Sequence, residues 1–184
     1  MLHVGTRSEP SVKSLVIIVV ILLVALVYAF VSFGTGDWLW FSQKFEETPS
    51  AIYVYCYGDT ISIQPGDFNF QALENIANAS LSGRKRWDPL SLSDATYEEY
   101  KTSPNMRVIE FDYPEPIRVH SNYKFFSNVD RLIIPIEGRH ADTNAVFGQN
   151  NGVAVGGSLH ITSTTSFDQY LTNQDICPES TNSN

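Results

Sequence analysis

The chain has 184 residues, two cysteines, 43% hydrophobic residues and a formal net charge of −8. That acidity opposes contact with nucleic acid or with anionic lipid through Coulomb repulsion, so nucleic-acid binding is set aside as a function. Eleven Phe and nine Tyr are more than a disordered chain carries and point to a folded domain containing strands.

From Leu15 to Phe33 the chain carries no charge, and only Tyr28 and Ser32 have a polar group. Nineteen residues at a rise of about 1.5 Å span about 28 Å, close to the hydrocarbon thickness of a bilayer. The run predicts a transmembrane helix over 15–33, with the lipid bilayer as its partner, because a helix satisfies every backbone donor internally. A buried core helix of this length would show an amphipathic break. A signal peptide cut near Ala29 or Gly34 is the competing reading, although its apolar region would be shorter and followed by small residues. Arg7 and Lys13 precede the run, and no basic residue follows until Lys44. Positive-inside therefore predicts a single-pass protein of the cell membrane, with a cytosolic tail 1–14 and the rest extracytoplasmic. The tail carries a net +1, which leaves −9 for the remainder. Trp38, Trp40 and Phe41 fall where an interfacial aromatic belt would lie, in a segment 34–50 that closes with a short linker at Glu46–Ser50.

A single domain is expected over 51–178. In Ala51–Tyr57, Ile52, Val54 and Cys56 alternate with Tyr53, Tyr55 and Tyr57, which is a strand period. Gly58-Asp59 turns the chain, and Ile61 and Ile63 continue as the second arm of a hairpin. Leu73, Ile76, Ala77 and Leu81 recur at helical spacing and predict a helix over Phe68–Leu81, capped by Asp67 or Asn69 and stopped by Gly83. Arg84-Lys85-Arg86-Trp87 reads as a solvated basic loop with the chemistry to meet lipid headgroups or an acidic partner. A short helix over Asp94–Lys101 follows, capped by Ser91 or Ser93. Met106–Tyr113 reads as a strand broken by Pro114-Glu115-Pro116, with extended chain resuming over Ile117–His120. Arg131–Glu137 is a strand that Pro135 demotes to a sheet edge or a bulge. Asn144–Phe147 and Gly152–Val155 flank an Asn-Gly hairpin turn, with Leu159 and Ile161 extending the second arm. Ser166 caps a last helix reaching Tyr170 or Leu171, and 179–184 is a polar tail expected to be disordered. Strands cluster instead of alternating with helices. The fold class is α+β, a mostly antiparallel sheet with two or three short helices.

Cys56 and Cys177 form a possible disulfide outside the cytosol; two buried thiols are the other reading. His120, His140 and His160 recur every twenty residues, with Asp142 beside His140. No two of these histidines stand at the two-to-five-residue spacing of zinc sites, and all three would have to converge through the fold with Asp142 as a fourth ligand, so neither a metal nor a cofactor is expected. Ser158 and His160 point the same way along a strand but lack the nucleophile-elbow setting. Glu98, Glu99, Glu110, Asp112 and Glu115 read as surface carboxylates. Asn78-Ala79-Ser80 matches a glycosylation sequon, on a predicted helix.

The stretch AIYVYCYGDTISIQPGDFNFQALENIANASL resembles the start of the ectodomain in uncharacterised bacterial single-pass proteins, where strand-turn-strand, PGD and a helix follow the anchor. YPEPIRVH and RLIIPIEGRH are similar to their downstream strands. The resemblance implies fold and placement, with no activity and no site residues. The expected function is a membrane-tethered, non-enzymatic accessory or regulatory module that binds a membrane or envelope protein. An envelope hydrolase, or a small-ligand or glycan sensor using Tyr53, Tyr55 and Tyr57, are the alternatives.

Overall fold

A computed structural model describes residues 11–177. Most of the expected cytosolic tail and the polar tail 179–184 lie outside the described residues. The chain is α+β: an apolar N-terminal helix, a seven-stranded antiparallel sheet and three further helices.

The first helix, α1, runs Val12–Thr35 and ends at Gly36, whose φ of +67° only glycine adopts freely. None of its most apolar window is buried by the rest of the protein. Only its last turns are covered. Ser32 is buried, and Trp38 and Phe41 pack on Tyr28 with ring centroids 6.1 and 6.2 Å away.

The sheet is built from β1 (Ala51–Cys56), β2 (Asp59–Ile63), β3 (Arg86–Asp88), β4 (Arg107–Ile117), β5 (Val129–Glu137), β6 (Ala145–Asn150) and β7 (Val153–His160). Their order across it is β2-β1-β4-β5-β6-β7-β3. The β1–β2 hairpin puts Ile52, Val54 and Ile63 on the main core face, where α2 (Phe70–Leu81) and α4 (Thr165–Asn173) cover them. Leu73, Ala77 and Leu81 of α2 face that core together with Phe167 and Leu171 of α4. On the opposite face, α3 (Asp94–Thr102) sets Tyr100 over Tyr55, Val108 and Phe147. The β1 alternation thus separates the two layers, as its period predicts. Cys56 and Cys177 are joined by a disulfide with Cα atoms 5.6 Å apart, tying β1 to the segment after α4.

Several expectations are corrected. β3 is a strand and not part of a solvated loop: Arg86, Trp87 and Asp88 pair with His160, Leu159 and Ser158 of β7. Gly157, at φ +81°, makes room there for the Trp87 ring, which a Cβ would strike. The Pro114–Pro116 segment bends β4 through a register shift and does not end it. Pro135 lies on an interior strand and not at a sheet edge; the bulge reading holds, since it sits at the register shift against Val108 and beyond the last β5–β6 pair, Ile133↔Phe147, where a missing N–H costs no ladder bond. Residues 46–50 are no free linker. Phe45 is buried in the main core, Glu47 N donates to Asn78 Oδ1 at 3.2 Å, and Ser50 N donates to Asp112 O at 2.8 Å. Ser93, not Ser91, caps α3 by accepting from Thr96 N at 3.1 Å. Ser166 lies inside α4, which starts at Thr165.

The disulfide spans 121 residues of sequence and stabilises the fold chiefly by restricting the unfolded chain. Reduction of the detergent-solubilised protein is expected to lower its thermal midpoint by roughly 10 °C. Identical midpoints with and without reductant would contradict a stabilising bond.

Candidate functional site

Alternation along β4 sends Arg107, Ile109 and Phe111 to one face and Val108, Glu110 and Asp112 to the other. Each face therefore receives an ion. Arg107, 7% exposed, donates to Asp168 Oδ1 of α4 and to Thr172 Oγ1 at 3.3 Å, and its Nε lies 3.3 Å from Glu137 Oε2. These groups line an open cleft of about 810 Å³ beside the disulfide, whose rim also carries Asp175. A buried guanidinium with two carboxylates is the arrangement burial demands.

Glu110, 2% exposed, accepts from Tyr55 Oη at 3.1 Å and Tyr97 Oη at 2.8 Å, and meets Arg131 Nε at 3.1 Å. Arg131 also reaches Asp112 at 3.3 Å and Gln149 Oε1 at 3.4 Å. Burial pushes the Glu110 carboxyl above the usual range, although the Tyr97 hydroxyl and Arg131 pull against it. Burial and the neighbouring carboxylate push Tyr97 up to about 12, and they raise Tyr55 as well. For Arg131, burial alone would lower the pKa; Glu110 and Tyr97 outweigh it and hold it up. These bonds join Tyr97 of α3 to Tyr55 of β1, Glu110 of β4 and Arg131 of β5, and so tie α3 to the sheet. They correct the reading of Glu110 as a surface charge. The signal was its phase with Val108. By contrast, Glu98 and Glu99 pair at the surface with Lys101 and Arg139, and Glu115 is exposed.

The three histidines lie in different places. His120 Nδ1 sits 3.0 Å from Asp37 Oδ2, where α1 meets the sheet domain. His140 Nδ1 is 2.6 Å from the Tyr100 hydroxyl, and burial lowers its pKa. His160 Nε2 is 3.6 Å from Asp88 across β7 and β3. His160 and Asp142 border one cleft of about 500 Å³ with Arg84 and Arg86, without a hydrogen bond between them. Ser158 is fully buried and its hydroxyl has no partner among the described residues, so no substrate reaches it as the protein stands. No cluster of His, Cys, Asp and Glu fit to hold a metal occurs among the described residues. Tyr55 is buried, Tyr57 donates to Glu137 at 2.6 Å and Tyr53 packs against the α3 layer, so the three rings form no common groove. Asn78 is engaged by Glu47 N, a poor setting for glycosylation.

The junction between α1 and the domain joins the Trp38, Trp40 and Phe41 group with polar residues the sequence did not connect to it, Asp37, Arg118 and His120. Asp37, 5% exposed, accepts from Leu39 N at 2.8 Å and faces His120. Arg118 donates to Gly36 O at 2.6 Å, placing a cation at the negative end of the α1 dipole. Tyr28 donates to Trp38 O at 2.8 Å. Trp38, Trp40 and Phe41 form an aromatic cluster around the end of α1, with Trp38 against Phe33 at 5.3 Å and Trp40 against Phe41 at 5.9 Å.

No family model matches the chain, and neither a curated protein nor a solved structure matches it.

The Glu110 network gives a signed prediction. The native carboxyl, raised by burial above the ordinary carboxylate range, holds its proton more tightly than the unfolded chain does. Its contribution to stability therefore falls as pH rises from the unfolded value through the native one. Urea unfolding over about pH 4 to 7 should show that decline in the wild type and a flatter profile in Glu110→Gln. Glu110→Ala should lose about 2–3 kcal/mol by stranding Arg131 and two hydroxyls. Unchanged stability in both variants would mean that the network carries no energy.

Proposed function

We propose that the chain is a single-pass membrane protein whose domain is held on the extracytoplasmic side as a non-enzymatic accessory module that binds a membrane or envelope protein. The observation that carries this reading is the contrast along α1. Its apolar surface is bare over two thirds of its length, while its C-terminal end is packed and hydrogen-bonded into the domain. A bilayer is the environment that suits the bare part. The engagement of Tyr28 and Ser32 favours retention of the helix over removal as a signal sequence, since a cut near Gly34 would discard those contacts. Arg7 and Lys13 before the helix supply the direction.

A domain without a free linker gains more than local concentration. Phe45, Glu47 and Ser50 tie the connecting segment to α2 and β4, so the domain presents one face at one height above the membrane. That suits recognition of a partner anchored in the same bilayer, where tethering raises effective concentration without high intrinsic affinity. The hydrolase alternative needs convergent nucleophile and base; the sensor alternative needs an open aromatic groove. The separate surroundings of His120, His140 and His160, and the burial of Tyr55, give both less support.

Two readouts test the proposal together. The chain should stay in the membrane pellet through alkaline carbonate extraction, with its domain cut by protease added from the extracytoplasmic side. Affinity capture from a mild detergent extract should then recover a membrane partner in stoichiometric amount. Release by carbonate would contradict the anchor, and repeated recovery of the chain alone would contradict the partner.

A further inference from the structure

The cations of the domain are sorted by place. Lys44, Lys101, Arg107, Arg131 and Arg139 each face a carboxylate. Arg84, Lys85 and Arg86 form no ion pair among the described residues, yet they share one cleft of about 500 Å³ with His120, Trp40 and Phe41. No carboxylate lines that cleft among the described residues. Asp142 borders a neighbouring cleft with Arg84 and Arg86 but pairs with neither, so the local sum stays positive. Burial lowers the Lys85 ammonium, whose one hydrogen bond goes to Gly83 O at 3.2 Å, and no anion offsets that cost.

Trp40 and Phe41 also line a second cavity of about 440 Å³, completed by Leu23, Val24, Val27 and Tyr28 of α1. Its lining is wholly apolar. The basic cleft and the apolar groove meet at these two rings, and the Trp40 indole N–H finds no acceptor among the described residues. A covered indole donor ordinarily has one. With α1 spanning the bilayer, Leu23 lies about 18 Å along the helix axis from Thr35. The groove then sits in the hydrocarbon and the basic cleft at headgroup level.

We propose that these two cavities together hold one anionic glycerophospholipid of the extracytoplasmic leaflet, its phosphate among Arg84, Lys85 and Arg86 and one acyl chain along Leu23, Val24 and Val27 beneath Trp40 and Phe41. The net acidity of the domain does not forbid this. Charges more than a Debye length away, about 8 Å at physiological salt, are screened, so the sign of the nearest groups decides. Phosphate meets guanidinium in bidentate geometry, and a basic residue near an anionic leaflet is favourable. The proposal rests on the membrane-spanning reading of α1.

The test uses the full-length protein in nanodiscs containing equal parts of phosphatidylcholine and phosphatidylglycerol, with native mass spectrometry of the lipids retained after ejection. The wild type is expected to retain phosphatidylglycerol over phosphatidylcholine by about fivefold or more, the effect of a single basic residue at an anionic surface. Substitution of Arg84→Gln, Lys85→Gln and Arg86→Gln together should bring that ratio to parity. Arg139→Gln, which removes one charge from a pair with Glu99 beside α3, should leave it unchanged. Circular dichroism checks that the triple variant folds; should it not, Arg84→Gln alone, whose side chain is exposed, should lower the same ratio. Parity in the wild type, or undiminished preference in a folded triple variant, overturns the lipid site while leaving the anchor standing. A chain that does not enter nanodiscs overturns the anchor, and the lipid site with it.

Discussion

Apolar surface that the protein does not cover has to be covered by something else, and α1 is the place where this constraint falls. Its residues from Leu15 to Val27 are exposed, several by more than half of their surface. Each large aliphatic side chain left in water forgoes about 1.5–3 kcal/mol, so the helix as a whole would forgo tens of kcal/mol. The domain makes no attempt to bury it and has two complete cores without it. What the domain does is hold its end. Gly36 turns the chain, Asp37 meets His120, Arg118 meets the last carbonyl, and Phe45 enters the main core a few residues later. The proposed function follows from combining an end that is fixed with a length that is bare.

The polar groups inside the sheet follow the same logic of unsatisfied surface. Arg107 and Glu110 lie close together on β4, on opposite faces; Arg107 meets the carboxylates of Glu137 and Asp168, and Glu110 meets Arg131 and two tyrosine hydroxyls. These pairs consume most of the domain's inward-facing charge and fasten α4 and α3 to the sheet. Arg84, Lys85 and Arg86, which form no ion pair among the described residues, share a cleft with Trp40 and Phe41 beside the end of α1. A net charge read from the whole sequence therefore describes the average and misses a patch of opposite sign.

Much of the layered fold was legible in the sequence. The alternation of Ile52, Val54 and Cys56 with tyrosines separated the two faces, and Asn151-Gly152, with φ of 51° and 76°, marked the β6–β7 turn. Periodicity found α2, and capping serines pointed to α3 and α4, each to within a few residues. What escaped depends on partners distant in sequence. Three residues at Arg86–Asp88 are a strand only because β7 lies beside them some seventy residues later. Pro114 and Pro116 break a strand on local rules, yet β5 pairs with β4 on both sides of the bend. The segment 46–50 is polar and looks free, but α2 and β4 supply acceptors for its backbone. The burial of Glu110 was visible as phase and not as depth, because depth required knowing that α3 lies above it. The even spacing of His120, His140 and His160 was legible and carried nothing, since twenty residues is no structural period in a sheet of unequal strands.

The central claim is that α1 and the domain form one rigid unit, which sets how the domain faces whatever stands beside it in the membrane. Pulsed electron paramagnetic resonance between nitroxides introduced at Ile18 and Thr60, through an encoded amino acid that leaves the disulfide intact, measures it in nanodiscs. A rigid junction predicts a single narrow distance distribution that broadens when Asp37→Ala and Arg118→Ala remove the contacts at the helix end. A broad distribution in the wild type, indifferent to those substitutions, would contradict it.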